Sequence, residues 1–252
     1  MASRLLRRLP PLSSPLRRTP TPLAAPFTRS HTTSTSTSTS VDPTEISHFD
    51  GLASTWWDPH GSSRLLHLMN PLRLRFIQTC LLRGSPVPPT PTARGTEYLD
   101  IGCGGGILAE ALARLKSTRS VGEEKGGFDV VTMMEVIEHV PHPHAFLYTA
   151  MSHVRPGGWL CLSTISRSWI SYLTTVFVAE DVLGIVPRGT HDWSKYLNAE
   201  ELEGFFRAQK NWGGDGGMVT MGCMYLPGLG WKEVKGGEKV GNYFFGVRRD
   251  LE

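Results

Sequence analysis

A glycine-rich turn between an apolar run and a helical pattern constrains this chain more than any other feature. Residues 98–101 read Tyr-Leu-Asp-Ile, the composition of a short buried strand. Residues 107–115 place apolar side chains at helical spacing. Between them stand four glycines: Gly102, Gly104, Gly105 and Gly106. A strand, a glycine turn and a helix in this order open a nucleotide-binding βαβ unit.

The residues around the turn narrow the class of ligand. No Lys follows the glycines, as a phosphate-binding loop requires, and Ile107 stands where a dinucleotide fingerprint has its third glycine. The carboxylate of Asp100 at the end of the strand suits a cationic ligand, such as the sulfonium and amino groups of S-adenosylmethionine. The motif resembles the first motif of the class I S-adenosylmethionine-dependent methyltransferases. A glycine turn in another kind of α/β protein is the alternative.

Strand and helix patterns alternate along the chain, which predicts an α/β fold on a parallel, Rossmann-like sheet with helices on both faces. Strands are predicted over residues 98–101, 128–134, 159–164 and 242–248. Helices are predicted over residues 107–115, 145–154 and 199–209, the last with Asn198 as its N-cap. An earlier helix is expected to have Pro71 near its start, and residues 155–158 are expected to form a turn.

Composition divides the chain into two parts. Residues 1–40 contain six Arg, no Lys, no acidic residue and many Ser, Thr and Pro. This composition is typical of a mitochondrial transit peptide and predicts disorder, with an ordinary disordered tail as the alternative. Residues 41–252 are predicted to form the methyltransferase domain, with an N-terminal helical cap at 41–83 and a Pro-rich loop at 84–96.

Charge and cysteine usage exclude some classes of function. The formal net charge of +3 comes from the basic N-terminal segment, since residues 41–252 contain 20 basic and 23 acidic side chains. That balance gives no support to nucleic acid as a partner. The four cysteines form no Cys-x-x-Cys pair and no metal-binding spacing, so we expect reduced thiols in a matrix or cytosolic protein.

Two apolar stretches each have more than one interpretation. Trp56 and Trp57 are expected to be packing residues, with a pocket for a flat substrate as the alternative. The apolar residues of 170–186 are interrupted by Glu180 and Asp181, and the segment is too short and too charged to span a bilayer. We expect it to pack in the core, with contact to a membrane surface as the alternative.

Five phrases of the sequence together resemble one family. They are Phe-x-x-x-Ala-x-x-Trp-Trp-Asp at 49–58, Asn-Pro-Leu-Arg-Leu at 70–74, the glycine motif at 100–110, Glu-Val-Ile-Glu-His-Val-Pro at 135–141 and Pro-Arg-Gly-Thr-His-Asp at 187–192. With these phrases the chain resembles the ubiquinone-biosynthesis O-methyltransferases from about residue 42 to residue 248. Those mitochondrial and bacterial enzymes methylate catechol hydroxyls on polyprenylated rings. The glycine motif alone indicates only the superfamily.

The resemblance implies a cofactor site for S-adenosylmethionine. Positions that contact the cofactor in the family are matched here by Arg73, Gly102 and Met134. The glycine motif adds three further candidates, which are Asp100, Gly104 and Gly106.

The resemblance also implies a site for Mg²⁺ or a similar divalent cation, at Glu135, Glu138 and His139. If an α-helix starts at Glu135, the spacing i, i+3 and i+4 brings the three side chains to one face. Two carboxylates and an imidazole could then hold the ion, although His is unusual for magnesium. The alternative is that these groups cap the helix and touch the adenosine.

His191 is the candidate catalytic base, with Asp192 orienting its ring; a buried structural pair is the alternative. The base would remove the proton of a catechol hydroxyl as the methyl group is transferred. A metal at the acidic cluster would lower the pKa of the catechol, whereas the His191 base would need no metal.

The chain departs from the family after the first helix of the glycine motif. Only about a dozen residues, 116–127, separate that helix from the next strand, whereas a strand–helix–strand insert needs roughly 30 or more. The sheet is therefore expected to lack one or two strands, together with the acid that binds the ribose hydroxyls. Glu123 and Glu124 lie near the expected distance from the glycines, and we expect them to belong to the loop. An omitted exon and a genuine shortened isoform would both explain the gap.

Two hypotheses of function follow. The first is methyl transfer from S-adenosylmethionine to a polyprenylated catechol precursor of ubiquinone, on the matrix side of the inner mitochondrial membrane and peripheral to it. Other ubiquinone-biosynthesis proteins are expected partners. The second is a catalytically impaired or inactive chain that binds lipid or partner enzymes of the same complex, which the shortened sheet favours.

Overall fold

The structure is a computed structural model that describes residues 47, 50, 53–61, 63–83, 95–115, 126–168 and 195–251. The predicted transit peptide, most of the Pro-rich loop and the apolar segment 170–186 lie outside these ranges. Within them, none of the helices combines the length and the apolar character that crossing a bilayer requires.

Six strands of the described chain form one sheet. Their bounds are β1 Tyr98–Asp100, β2 Phe128–Met134, β3 Val154–Ile165, β4 Met218–Leu226, β5 Gly230–Glu233 and β6 Asn242–Arg248. Their order across the sheet is β1-β2-β3-β6-β4-β5. The first three strands are parallel, and β6, β4 and β5 are each antiparallel to their neighbours. The α/β prediction is confirmed, but the sheet is mixed rather than parallel throughout.

Four α-helices of the described chain cover the two faces of the sheet. They are α1 Arg64–Arg83, α2 Ile107–Ala113, α3 Pro143–Ser152 and α4 Ala199–Arg207. Helices α1 and α2 pack on one face, which we call the α1 face, and α3 and α4 pack on the other, the α3 face. Because side chains alternate along a strand, β2 contributes Val130 to the core of the α1 face and Val131 to that of the α3 face.

Stacked aromatic rings join the helices to the central strand β6. Phe76 of α1 stacks on Phe244 with ring centroids 5.3 Å apart, and Phe206 of α4 stacks on Phe245 at 5.8 Å. All four rings are fully buried. Each such pair contributes about 0.5–1.5 kcal/mol beyond the area that it buries, so β6 is tied to both layers of helices.

Local sequence signals explain where α3 and α4 begin. Helix α4 follows a capping box, in which the backbone N–H of Asn198 donates to Glu201 Oε2 at 2.8 Å, so the predicted N-cap is confirmed. Helix α3 starts at Pro143, where the missing N–H of proline costs nothing.

Two local predictions were wrong. Residues 155–158 belong to β3 instead of forming a turn, because the β2–β3 register shifts between Phe128 and Val130 and the strand continues through this irregularity. Pro71 lies in the interior of α1 instead of near its start. The helix continues past it because neighbours on both sides, Met69 and Leu72, are buried in the core of the α1 face.

The described sheet ends at β1, which pairs with β2 alone among the described strands. An apolar cavity of about 340 Å³ lies beside this edge on the α3 face. Its lining residues are Leu99, Ile101, Phe128, Phe146, Thr149, Ala150 and His153. This is the edge beyond which the resemblance implies further strands and a covering helix.

The contact between β6 and α1 makes a direct prediction about stability. A Cβ on Gly246 would lie 2.5 Å from Cys80 Sγ and 3.2 Å from Phe76 Cζ, and both of these residues are fully buried. Gly246→Ala should therefore lower the free energy of unfolding by about 1–3 kcal/mol, measured by urea denaturation. In a Cys80→Ala background, Gly246→Ala should lower the free energy of unfolding by less, because the sulfur atom that the new Cβ would meet is absent.

Gly204→Ala is the matched control for that measurement. Gly204 is exposed in α4 and its added Cβ would meet nothing within 4 Å, so the change should stabilise the helix by up to about 1 kcal/mol. Equal unfolding free energies for Gly246→Ala and the unmodified chain would contradict the packing described for β6.

Candidate functional site

The glycine turn joins β1 to α2 through backbone angles that favour glycine. Gly102, Gly104 and Gly106 have φ angles of 69°, 51° and 83°, in the left-handed region. A Cβ at Gly102 would also lie 2.6 Å from Val136 Cγ2, so this glycine is required by the segment that follows β2. The predicted order of strand, glycine turn and helix is confirmed.

The indole of Trp56 covers the middle of the turn. A Cβ built on Gly104 would lie 1.9 Å from Trp56 Cζ3, and one built on Gly105 would lie 2.7 Å from Trp56 Cβ. The ring therefore rests on the bare main chain of both glycines. The prediction that Trp56 packs against the protein agrees with this contact, whereas Trp57 beside it is 53% exposed.

A buried cation lies close to the turn. Arg73 of α1 is 5% exposed, and the carboxylates of Glu135 and Asp100 attract its guanidinium group. Burial lowers the pKa of Arg73 and these two charges oppose the shift, and an arginine remains protonated at neutral pH. Its Nε–H has no hydrogen-bond partner among the described residues. An unpaired buried donor costs about 1–3 kcal/mol, so an anionic group of a ligand would be stabilised here.

Two hydroxyl groups hold the two carboxylates in place. Thr132 Oγ1 donates a hydrogen bond to Asp100 Oδ1 at 2.6 Å, between paired positions of β2 and β1. Ser163 Oγ of β3 donates to Glu135 Oε1, also at 2.6 Å. Burial raises the pKa of Asp100, while the bond from Thr132 and the charge of Arg73 act in the opposite direction.

The backbone of Glu135 turns sharply at the end of β2. Its φ angle is 55°, in the left-handed region, which costs a residue other than glycine roughly 1–2 kcal/mol. Its N–H donates to the carbonyl oxygen of Ser163 at 3.1 Å, which secures the turn. The turn directs the carboxylate toward the α1 face, where Arg73 lies. Backbone strain of this kind concentrates at functional sites.

Glu138 lies on the opposite face of the sheet. It is 4% exposed, and its Oε2 accepts a hydrogen bond from Thr164 Oγ1 at 2.9 Å. Ser163 and Thr164 are neighbours in β3, so their side chains point to opposite faces. Tyr243, opposite Thr164 in the register, belongs to the core of the α3 face, and its pKa is raised by burial and then by the charge of Glu138.

The three residues predicted to bind a metal therefore do not fit one shared ion. The expected α-helix from Glu135 is wrong, because a short 3₁₀ turn, Ile137–His139, follows a left-handed residue instead. Glu135 and Glu138 consequently face opposite sides of the sheet, and His139, which directly follows Glu138 in the sequence, is half-buried. Within the described ranges, no group of three or more His, Cys, Asp or Glu side chains is arranged to hold a metal ion.

The remaining candidates are divided between the described and undescribed parts of the chain. Met134 ends β2 and is buried in the core of the α1 face, on the same face as Arg73. His191, Asp192, Glu123 and Glu124 lie outside the described residues.

Asn70 is a further polar residue of the site, and the sequence did not predict a role for it. Its Nδ2 donates to the carbonyl oxygen of Ile107, the first residue of α2, at 3.2 Å. Its buried Oδ1 has no hydrogen-bond partner among the described residues. Asn70 thus joins α1 to the helix that follows the glycines and leaves an acceptor available there. Its position three residues before Arg73, on the same helical face, is the signal that could have revealed it.

Comparison with known proteins agrees with this architecture. A family model described as a methyltransferase domain matches residues 66–209. The mitochondrial ubiquinone biosynthesis O-methyltransferase of Candida albicans is 34% identical over 282 residues, covering 84% of this chain and 86% of the relative. That of Schizosaccharomyces pombe is 41% identical over 207 residues, covering 69% of this chain and 73% of the relative.

The length of the alignment with the Candida relative is relevant to the strands that this chain is expected to lack. The 282 positions aligned with the Candida protein exceed the 252 residues of this chain, so the relative contains residues that have no counterpart here. A similar alignment with the Saccharomyces cerevisiae enzyme has 281 positions at 34% identity. With a matching domain and relatives this similar over most of its length, the chain belongs to the ubiquinone biosynthesis O-methyltransferases.

Proposed function

We propose that this chain methylates a catechol hydroxyl of a polyprenylated ubiquinone precursor, with S-adenosylmethionine as the methyl donor. The observation that carries the proposal is the buried Arg73, whose Nε–H has no hydrogen-bond partner among the described residues and whose charge is attracted by the carboxylates of Glu135 and Asp100. A ligand that carries a carboxylate, an amino group and a sulfonium matches this alternation of charge.

The side chains around the turn divide the recognition of the donor between them. The guanidinium of Arg73 suits the donor's carboxylate, because charge-assisted bonds to Arg are strong and directional. Asp100 and Glu135 supply negative charge for the amino group and the sulfonium. The Oδ1 of Asn70, which has no partner in the part of the chain that the structure describes, adds a neutral acceptor. Gly102, Gly104 and Gly106 keep the adjoining main chain bare, and Met134 supplies an apolar wall.

When bound, S-adenosylmethionine supplies a methyl group activated by its positive sulfur. The protein then has two tasks, which are to align a catechol oxygen with that methyl group and to take up the hydroxyl proton. Alignment of reacting groups lowers a barrier by several kcal/mol, roughly 7–11 in the best cases. His191 is our proposed base, with Asp192 orienting its ring. The oxygen gains the methyl group, the carbon–sulfur bond breaks, and the proton moves to the imidazole.

Location and partners follow from the same proposal. The Candida, Schizosaccharomyces and Saccharomyces relatives are named as mitochondrial, which supports a mitochondrial location for this chain. The basic, acid-free segment 1–40 would direct import. A polyprenylated substrate resides in lipid, so we place the enzyme peripherally on the matrix side of the inner membrane, among other ubiquinone-biosynthesis proteins.

Asp100→Asn tests the donor site. The change keeps the side chain's shape and an acceptor for Thr132 but removes the charge. The affinity for S-adenosylhomocysteine, measured by calorimetric titration of the full chain, should fall roughly 10- to 100-fold. This is the loss expected when one hydrogen bond to a charged group is removed.

Asp215→Asn, at an exposed turn, is the control for that titration and should bind as the unmodified chain does. Equal affinities for Asp100→Asn and the control would remove Asp100 from the donor site. No binding by any of the proteins would instead support the non-catalytic hypothesis.

Glu135→Gln and Glu138→Gln should behave differently, because the two carboxylates face opposite sides of the sheet. Glu135→Gln should lower kcat/KM at least about tenfold, since it removes charge beside Arg73. Glu138→Gln should lower the free energy of unfolding by about 1–3 kcal/mol, since a buried acceptor is replaced by a donor, and should leave kcat/KM of the folded protein nearly unchanged. Steady-state kinetics and urea denaturation measure the two effects.

An ion bridging both carboxylates would give the opposite pattern. Both variants would then lose activity to the same extent, and the unmodified enzyme would lose it on chelation. That result would restore the metal site predicted from the sequence and overturn the geometry described above.

His191→Asn tests the proposed base through its dependence on pH. At pH 7 kcat should fall about 10²–10⁴-fold. The deficit should shrink as the pH approaches about 10, the ordinary pKa of a phenol, because the substrate then ionises without a base. His60→Asn, at an exposed position, should show a normal profile. A deficit that stays constant across the pH range would assign His191 a structural role.

A further inference from the structure

Helix α1 has one continuous exposed side. Exposed residues recur along it at i, i+4, i+7, i+11, i+14 and i+18, which at about 100° per residue confines them to an arc of roughly 80°. We call this set the α1 stripe. Its members are Arg64, Leu68, Pro71, Arg75, Gln78 and Leu82.

The α1 stripe is both basic and apolar. The helix contains four arginines and a histidine but no Asp or Glu, so none of its own residues offsets the charges of Arg64 and Arg75. Arg83 adds an exposed positive charge in the last turn. Leu68 and Leu82, spaced among these arginines, are 39% and 57% exposed. Arginine and exposed leucine on one side of a helix are typical of a face that lies on an anionic membrane surface.

The elements packed around α1 leave most of this charge in place. Arg75 pairs with Glu233 of β5 at 3.6 Å, but both side chains are more than half exposed, and such pairs contribute little to stability. Arg64 donates a hydrogen bond to the hydroxyl of Tyr225, which carries no charge. Glu110 of α2 forms an ion pair with the arginine four residues later. An anionic headgroup can therefore replace Glu233 as the partner of Arg75.

An exposed indole lies beside the first turns of α1. Trp57 is 53% exposed, and its ring meets that of His67 edge to face, with centroids 5.9 Å apart. His67 directly precedes Leu68 on the helix. Tryptophan is enriched where a membrane meets water, because its ring has an apolar body and a polar N–H. Trp57 thus extends the α1 stripe with a side chain suited to the headgroup level.

The buried side of the same helix carries part of the donor site. Arg73 follows Arg64 by nine residues, which at about 100° per residue places it roughly 180° around the helix. A helix with its side chains is about 10–12 Å across. A surface in contact with the α1 stripe would therefore lie about one helix diameter from Arg73.

We propose that the α1 stripe docks this chain on an anionic phospholipid surface, with its arginines on lipid phosphates and its leucines among the headgroups. The inference deepens the proposed function, which places the enzyme at a membrane without assigning the surface that touches it. It rests on that function for the purpose of docking, since a polyprenylated substrate resides in lipid. Docking through α1 brings the donor site close to the membrane that holds the substrate.

The experiment is sedimentation of the full chain with vesicles made of equal parts phosphatidylcholine and phosphatidylglycerol. The unmodified chain should bind these vesicles, and added salt should weaken the binding because it screens charge. An arginine near an anionic surface strengthens binding about fivefold, so Arg64→Gln/Arg75→Gln should need roughly 25 times more lipid for half-saturation. Both side chains are exposed, so this variant should fold as the unmodified chain does.

The matched control is Arg207→Gln/Lys210→Gln, which removes the same charge from the end of α4, on the α3 face. Arg207 is exposed and pairs with a glutamate, as Arg75 does. The control should bind within about twofold of the unmodified chain, because charge far from the lipid is screened. The basic segment 1–40 is present in every protein, so its attraction to lipid affects all of them equally. Equal losses in the two double variants, or no loss in Arg64→Gln/Arg75→Gln, overturn the inference.

Leu68→Ser tests the apolar part of the contact. It should lower the affinity for the same vesicles about fivefold, and this loss should not depend on salt, because buried apolar area is not screened. Leu251→Ser is its control, at a position that is 76% exposed near the end of the chain, and should bind as the unmodified chain does. Equal affinities for the two serine variants would contradict insertion of the α1 stripe.

Titration with S-adenosylhomocysteine in the absence of vesicles separates this inference from the proposed function. The arginine and serine variants should bind the ligand as the unmodified chain does, because their side chains lie on the outer side of α1. If the unmodified chain binds the ligand but not the vesicles, the inference is overturned and the proposed function stands. If it binds the vesicles through the α1 stripe but not the ligand, the lipid contact stands and the proposed function falls.

Discussion

The buried charge of Arg73 is the constraint on which the site depends. Arg73 is 5% exposed, and burying its guanidinium charge without nearby negative charge would destabilise the fold by several kcal/mol. Helix α1 can therefore pack on the sheet only where carboxylates lie close to Arg73. Asp100 at the end of β1 and Glu135 at the end of β2 meet that need. Hydroxyl groups of Thr132 and Ser163 in turn fix the carboxylates. The helix, three parallel strands and the glycine turn are thereby brought to a common point.

Much of this arrangement could be predicted from the sequence, because it follows from periodicity and from signals at element ends. Strands β2 and β6 have the predicted bounds, since both are mostly apolar runs buried in the sheet. Helix α4 begins where Asn198 predicted it. The glycine turn follows β1 as its composition requires, and the carboxylate that precedes it, Asp100, is one of the two that attract Arg73.

The rest depended on single backbone angles and on contacts distant in sequence. The i, i+3, i+4 rule places Glu135, Glu138 and His139 together only in an α-helix, and one residue with φ of 55° divides the two carboxylates between the faces. No periodicity signals such a residue when it is not glycine. The contact of Trp56 with Gly104 likewise joins residues far apart in the chain. The irregular start of β3 arises from a shift in its register with β2. The sequence Arg155-Pro-Gly-Gly does not indicate this shift.

The described sheet ends at β1, directly beside the proposed donor site, so the loss of further strands there bears on whether the donor binds. The relatives contain residues that this chain lacks, and the described sheet ends beside the carboxylate of the donor site. A crystal structure of the full chain with S-adenosylhomocysteine tests whether the charged centre serves the donor despite that loss. We predict the ligand's carboxylate within hydrogen-bond distance of Arg73 Nε, with the amino-acid part of the ligand beside the glycine turn. Ligand bound elsewhere, with Arg73 Nε still unpaired, would contradict the account.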